Sequence, residues 1–414
     1  MKRLLCGLVL AACSGAPKTS TPVASTVTAR ATELEAELVE LRRDLHAHPE
    51  ISGEERRTSA VIAARLRSAG LEVTSDVGGH GLVAMLRGAE PGRTIAYRAE
   101  LDAMPGSEPA GRPYGSVYPD AYHVCGHDLH MAIAVGVASS LASVRSQLRG
   151  NVMFIFQPAE ETWQGADAML AAGLFRDDRP DEIFALHSFP FEVGTMARDV
   201  AFAGLDRFRV ELLGENASEE VAERISAQLS QFGNVKPPRS PGQVEQYLTD
   251  LQRADGPLAQ ALYVDIERDE ETPFLIEGVF KSHSDSRYPE LRNDVNALLR
   301  AELGPSGYSL QYPNDPLPSM VSDARLSDEA SAALLESLST DQLLTLRAQH
   351  AFSGEDFARF LQRVPGAMFL LGVGNRQRGI LGAPHFPDFD ADEGAILVGT
   401  RAMSVLMLRR LEAE

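Results

Sequence analysis

Cysteine is scarce in these 414 residues: Cys6, Cys13 and Cys125 are all there are. Positive charge is in deficit as well. Thirty-nine Lys and Arg face fifty-eight Asp and Glu, for a net charge of −19 and a pI near 5.0. A surface of that sign repels phosphates, which excludes a nucleic-acid partner and a basic membrane-binding face. Long apolar runs are missing too, and there is no internal repeat and no low-complexity tract beyond one polar stretch after Cys13. What remains is a chain with 44% hydrophobic residues, ordinary for a folded globular protein and long enough for two domains.

The N-terminus reads "MKRLLCGLVLAACSGAPKTS". Lys2 and Arg3 precede an apolar run, Leu4 to Ala12, that is far too short to cross a bilayer as a helix and has the form of a secretory signal. "LAAC" resembles a bacterial lipobox, so Cys13 is expected to carry lipid, followed by a flexible Ser/Thr/Pro/Ala tether. The expectation is an exported lipoprotein, periplasm-facing and held to a membrane only through its anchor. Cys6 then leaves with the signal, and Cys125 has no disulfide partner. A lone thiol in an oxidising compartment is a liability unless it is buried or bound to a metal.

Capping boxes predict a helix from Thr32, with Glu35 three residues on, and another from Ser52 and Glu55 to Ala69, stopped by Gly70. Beyond them, apolar strands in "TIAYRAELDAM", "NVMFIFQPAEE", "EIFALHSF" and "AMFLLGVGN" alternate with helical patterns such as "HMAIAVGVASSLASVRSQL". That alternation indicates an α/β chain with a mainly parallel sheet buried on both faces. Residues 205–314 read differently, as β-α-β-β-α-β in the order of a ferredoxin-like α+β unit, with "VKPPRSPGQVEQYLTDLQRA" inserted in it. Because the sheet chain resumes afterwards, one domain is inserted into another.

The stretch "YHVCGHDLH" places Cys125 and His127 around a glycine, with Asp128 and His130 following. Thiolate, imidazole and carboxylate are the side-chain groups that bind transition metals, and an extended chain would turn Cys125 and His127 to one side. A buried structural cysteine beside helix-capping residues is the plainer alternative. Other candidates fall just past strand ends: Glu100 and Asp102, Glu160 and Glu161, and His187, expected to close its strand. In open α/β sheets that edge is where ligands bind. Adjacent glutamates suit metal-assisted hydrolysis, where one carboxylate holds the ion and the other accepts a proton from water. His385 lies in a Gly/Pro loop after the last apolar strand and can reach the same edge.

With these residues placed, the chain resembles the M20 metallopeptidase family, in particular its amidohydrolase branch, which includes hippurate hydrolases and plant auxin-conjugate hydrolases. The resemblance rests on "LRRDLHAHPEISGEE", "RAELDAMP", "HVCGHDLHM", "FIFQPAEETWQGADAML", "LHSFP", "FSGEDFARF" and "PHFPDFDADEGAILVG", in family order over about residues 40–200 and 350–405. It implies a zinc-peptidase-like catalytic domain in two parts, 32–204 and 315–414, around the inserted satellite domain 205–314; the signal (1–12) and the lipidated tether (13–31) read from the N-terminal residues precede it. It implies two divalent ions, zinc, manganese or cobalt, with Cys125, His127, Glu161, His187 and His385 as ligands and Glu160 as general base. Asp102 and Asp128 would orient ligands. The implied substrate is an N-acyl amino acid or small peptide, the runner-up activity is a dipeptidase or carboxypeptidase, and family members often form homodimers through the satellite.

The satellite departs from that pattern. The branch's Gly-rich turn with its histidine is replaced by "VELLGENASEEVAERI", His283 is the only histidine in the domain, and "RDEETP" stands where an Asn-containing turn is usual. Glu100 also replaces the usual aspartate. These departures support a competing reading, a surface-anchored binding protein that kept the metal site without turnover.

Overall fold

The computed structural model describes residues 21–268 and 272–413. The expected signal and Cys13 lie outside the described residues. Where the tether was expected to continue, the chain is already helical. Helix α1 runs Pro22–Ala47, capped by the Thr21 hydroxyl, with proline in its first turn. Its buried stripe, Ala24, Val27, Ala31, Leu34, Leu38, Leu41 and Leu45, has helical spacing over the whole length. The Ser/Thr/Ala composition had disguised the first turns, because their inward residues are small. Helix α2 (Arg56–Ser68) follows as expected and ends at Gly70, whose φ is +84°. Ser52 does not cap it; its hydroxyl goes to Asp102 instead.

The large sheet begins with β1 (Glu72–Thr74), β2 (Leu82–Arg87) and β3 (Glu90–Glu100). Helix α3 (His127–Ala142), β4 (Arg149–Gln157), helix α4 (Gly165–Ala171), β5 (Glu182–Glu192) and β6 (Met196–Arg198) come next. The chain then enters the satellite with β7 (Gly204–Leu212), α5 (Glu219–Ser230), α6 (Pro241–Leu251), β8 (Leu262–Arg268), β9 (Leu275–Ser282), α7 (Tyr288–Leu303) and β10 (Tyr308–Gln311). It returns through α8 (Ala324–Leu334), β11 (Leu343–Thr345), α9 (Phe357–Leu361), β12 (Gly366–Gly374) and α10 (Gly394–Glu412).

Eight strands form the large sheet in the order β1-β2-β4-β3-β5-β12-β6-β11. Its centre, β4-β3-β5-β12, is parallel, while β1 and β2 add antiparallel strands at one edge. One face is covered by α1, α2, α3, α8 and α10, the other by α4, α6 and α9, so the central strands are apolar on both sides. The satellite sheet is antiparallel, β8-β9-β7-β10, which is the strand order of a ferredoxin-like unit, with α5 and α7 packed on it. Among the described residues no helix is long and apolar enough to cross a membrane.

The parallel register aligns the chemistry. Glu100 pairs with Gln157, and Arg98 with Ala185, which sets His187 level with both strand ends. β5 does not stop before His187 but continues to Glu192, because β12 pairs alongside it.

A charge placed in the first turns of α1 distinguishes helix from tether. Val27→Asp is expected to destabilise the protein by on the order of 3 kcal/mol in chemical denaturation, whereas a tether would leave the midpoint unchanged.

Candidate metal centre

The turn between Cys125 and His127 is made by Gly126, at φ +89° and ψ +17°. A Cβ there would stand 2.7 Å from Ser188 Oγ, so the position admits glycine alone without rearrangement. The chain is therefore not extended at this point. The two side chains converge because a left-handed turn delivers His127 as the first residue of α3. Donor atoms of Cys125, His127 and Glu161 lie within 4.8 Å of one another.

Each histidine is oriented by its other nitrogen. His127 Nδ1 donates to the carbonyl of Asp102 at 2.8 Å, and His187 Nδ1 to that of Ser188 at 2.8 Å. Both Nε2 atoms then face the centre. His127 Nε2 is 3.8 Å from Glu161 Oε1, His385 Nε2 is 3.7 Å from Glu161 Oε2, and Cys125 Sγ is 3.4 Å from His187 Nε2. Donors about 2.0–2.3 Å from a tetrahedral ion stand roughly 3.3–3.8 Å apart. His127 Nε2 and Glu161 Oε1 are both buried without a hydrogen-bond partner, which leaves them free to take a cation between them. The residues fit divalent metal.

Electrostatics agree. Burial alone would lower the pKa of His127, yet Asp102, Glu100 and Glu161 push it up to about 10, so a positive charge is wanted there. Burial, with Glu161 and Glu160 nearby, pushes the Cys125 thiol up, and only a cation would hold it as thiolate. Glu160 is likewise raised, by burial and by Glu355, Glu161 and Asp356. Its Oε2 is 3.9 Å from His127 Nε2, and its side chain lines the cavity in front of the centre.

The two expected orienting residues part company. Asp102 does hold the site, accepting from Glu161 N at 2.9 Å and from Ser52 Oγ at 2.7 Å, besides its carbonyl on His127. Asp128 turns away from the centre. It meets Arg42 Nε at 2.7 Å and His46 Nδ1 at 2.8 Å and so fastens α3 to α1, because its place in the first turn of α3 points it at that helix. His385, at φ +64°, is brought in by a loop whose His385 N–H bonds the Val124 carbonyl at 3.0 Å.

Sequence reasoning missed the support behind the ligands. Arg98 is fully buried and bonds Glu100, Glu355 Oε1 (2.9 Å), Asp356 Oδ1 (3.3 Å) and Gln157 Oε1 (3.0 Å). Its signal was a cation and an anion two residues apart at the end of an apolar strand, "RAE", which places both on one face. His130 spends Nδ1 on Glu100 (2.8 Å) and accepts from Ser188 N at Nε2 (2.7 Å), so it is not a ligand. The longer Glu100, where aspartate is usual, reaches Arg98 and His130 together.

A cavity of about 750 Å³ opens between the two domains, with Cys125, Glu160, Glu161, His187 and His385 at one end. From the satellite it receives Asp265, Glu267 and Lys281. Burial lowers Lys281 to about 8, and its amine donates to the Phe352 carbonyl at 2.7 Å. His283 stays outside, against the Ala261 carbonyl at 3.2 Å.

The sequence profile of peptidase family M20/M25/M40 matches residues 96–409. The chain belongs to that family. It is a metal-dependent hydrolase of the M20 type. A relative named as a probable hydrolase in Synechocystis sp. is 32% identical, over 89% of this chain and 94% of its own. N-acetylcysteine deacetylase of Bacillus subtilis is 29% identical, over 91% of this chain and 97% of its own. Among solved structures, the B. subtilis YxeP protein, a dinuclear metal binding peptidase of the M20 family, is 27% identical with a TM-score of 0.70, covering 92% of this chain and 100% of that one.

Removing divalent ions with a chelator is expected to lower the melting temperature of this M20 protein, and zinc, manganese or cobalt to restore it. Cys125→Ala is expected to reduce bound metal, read by elemental analysis, with affinity down at least about tenfold. A full metal complement in that variant would remove Cys125 from the ligand set.

Proposed function

We propose that the protein cleaves the amide bond of N-acyl amino acids, using two divalent ions held by Cys125, His127, Glu161, His187 and His385, with Glu160 as general base. The observation that carries this reading is the pair of unpartnered buried donors, His127 Nε2 and Glu161 Oε1, set beside Glu160 at the head of a substrate-sized cavity. The deacetylase and the dinuclear peptidase among its relatives support the same reading. Bound divalent ions would polarise the scissile carbonyl and acidify the attacking water. Glu160 takes the proton from that water at its cavity-facing carboxylate and hands it to the leaving amine nitrogen. Burial, together with Glu355, Glu161 and Asp356, pushes Glu160 up, which makes its carboxylate a stronger acceptor for the water proton. His187 and His127 stay fixed throughout, because their second nitrogens are tied to backbone carbonyls. The N-terminal sequence supports an exported form with lipid on Cys13.

A binding protein without turnover would have no use for an intact base. Glu160→Gln is expected to lower kcat by about 10²–10⁴-fold while metal content stays near normal. The assay is amine release from N-acyl amino acids and dipeptides with added zinc, manganese or cobalt. Equal rates in the parent and in the variant would sink the assignment of the base.

A further inference from the structure

The insertion at residues 235–254 does not join the satellite's own core. Val244, Tyr247, Leu248 and Leu251 of α6 are buried instead with Phe189 and Phe202 of the catalytic domain. Polar bonds hold the helix there. The Tyr247 hydroxyl is 2.6 Å from His350 Nδ1 and accepts from Ala351 N at 3.3 Å. The Leu251 carbonyl accepts from Arg347 N at 2.8 Å and Ala348 N at 3.0 Å, and Glu245 pairs with Arg376 at 3.2 Å.

The same segment walls the substrate cavity, through Pro237, Pro238, Arg239, Val244 and Tyr247. Ring contacts run from the metal end to this wall: His187 to Phe202 at 6.2 Å, Phe202 to His350 at 4.9 Å, and His350 to Tyr247 at 5.7 Å. Tyr247 is thus held at a fixed remove from a metal ligand, and it cannot withdraw without opening the core behind it. A mobile loop would adapt to its ligand; a helix built into the core limits it.

We infer that the insertion is the specificity wall of the cleft, with Tyr247 and the Pro237–Pro238 turn setting the bulk of the apolar group a substrate can carry beside its amide. The inference rests on the amidohydrolase reading for the scaffold of the probe, while the wall itself rests on the geometry above. In an apolar pocket each methylene gained or lost changes affinity by about tenfold or more.

The test is calorimetric binding of N-acetyl-, N-hexanoyl- and N-decanoyl-alanine to the zinc-loaded full chain carrying Glu160→Gln, with Tyr247→Leu or Pro238→Trp added. Tyr247→Leu is expected to shift the ratio of decanoyl to acetyl affinity up by about tenfold, and Pro238→Trp to shift it down by about as much. Ratios within about twofold of the parent in both folded variants would overturn the inference, as would failure of every ladder member to bind. Turnover of the same ladder with Glu160 intact is measured separately. A shifted ratio without turnover leaves the wall standing and removes the hydrolase reading.

Discussion

The site depends on a fully buried guanidinium. Arg98 ties its own strand β3 to Gln157 at the end of β4 and to Glu355 and Asp356 in front of α9. Taking such a charge out of water costs several kcal/mol, and attraction offsets this only where the partners are complete and well placed. The three segments must therefore meet in one register, which is the register that brings Glu100 level with Gln157. Yet a single guanidinium does not balance Glu100, Glu355 and Asp356 together with Glu160 and Glu161 next to them. The constraint that locks the sheet edge also crowds carboxyl groups there, which pushes Glu160, Glu355 and Asp356 up, and divalent ions are what such a cluster attracts.

The two domains share the work unequally. The catalytic sheet supplies every candidate ligand and the base, on strand ends and turns whose backbone carbonyls fix the rings. The satellite supplies charge at a distance, through Lys281, Asp265 and Glu267, and no histidine. Its hold on the catalytic domain includes contacts around the cavity and in the core behind it. Lys281 bonds the Phe352 carbonyl, Arg207 stacks on Trp163 at 4.5 Å, and α6 lies in the opposite core. The cavity is thus walled on both sides by one chain.

Much of this was legible in the sequence, and the exceptions have physical reasons. Strands such as 152–156 and the alternating "DRFRVELLG" show their period directly, so the parallel sheet and the satellite order could be read from them. Metal candidates stood out because chemically unusual residues followed apolar runs. The first turns of α1 were hidden because Ala24, Val27 and Ala31 form a stripe too slight to see against a Ser/Thr background. The roles of Asp128 and Arg98 were not readable, since a buried ion pair is defined by its distant partner: Arg42 in one case, Glu355 in the other. For the same reason the stretch that holds α6 could be recognised as an insertion, but neither its helix nor its place in the other domain's core could be read.

One consequence concerns biosynthesis. Helix α10 packs with α1 and α3, and Arg42 and Arg43 of α1 bond Glu393 immediately before it, some 350 residues away in the chain. While the ribosome is still making the satellite, the catalytic half already synthesised has an open apolar flank where α10 belongs. Contacts of such sequence separation form late and slowly. The nascent catalytic half therefore stays incomplete, and available to chaperones, until α10 has been added.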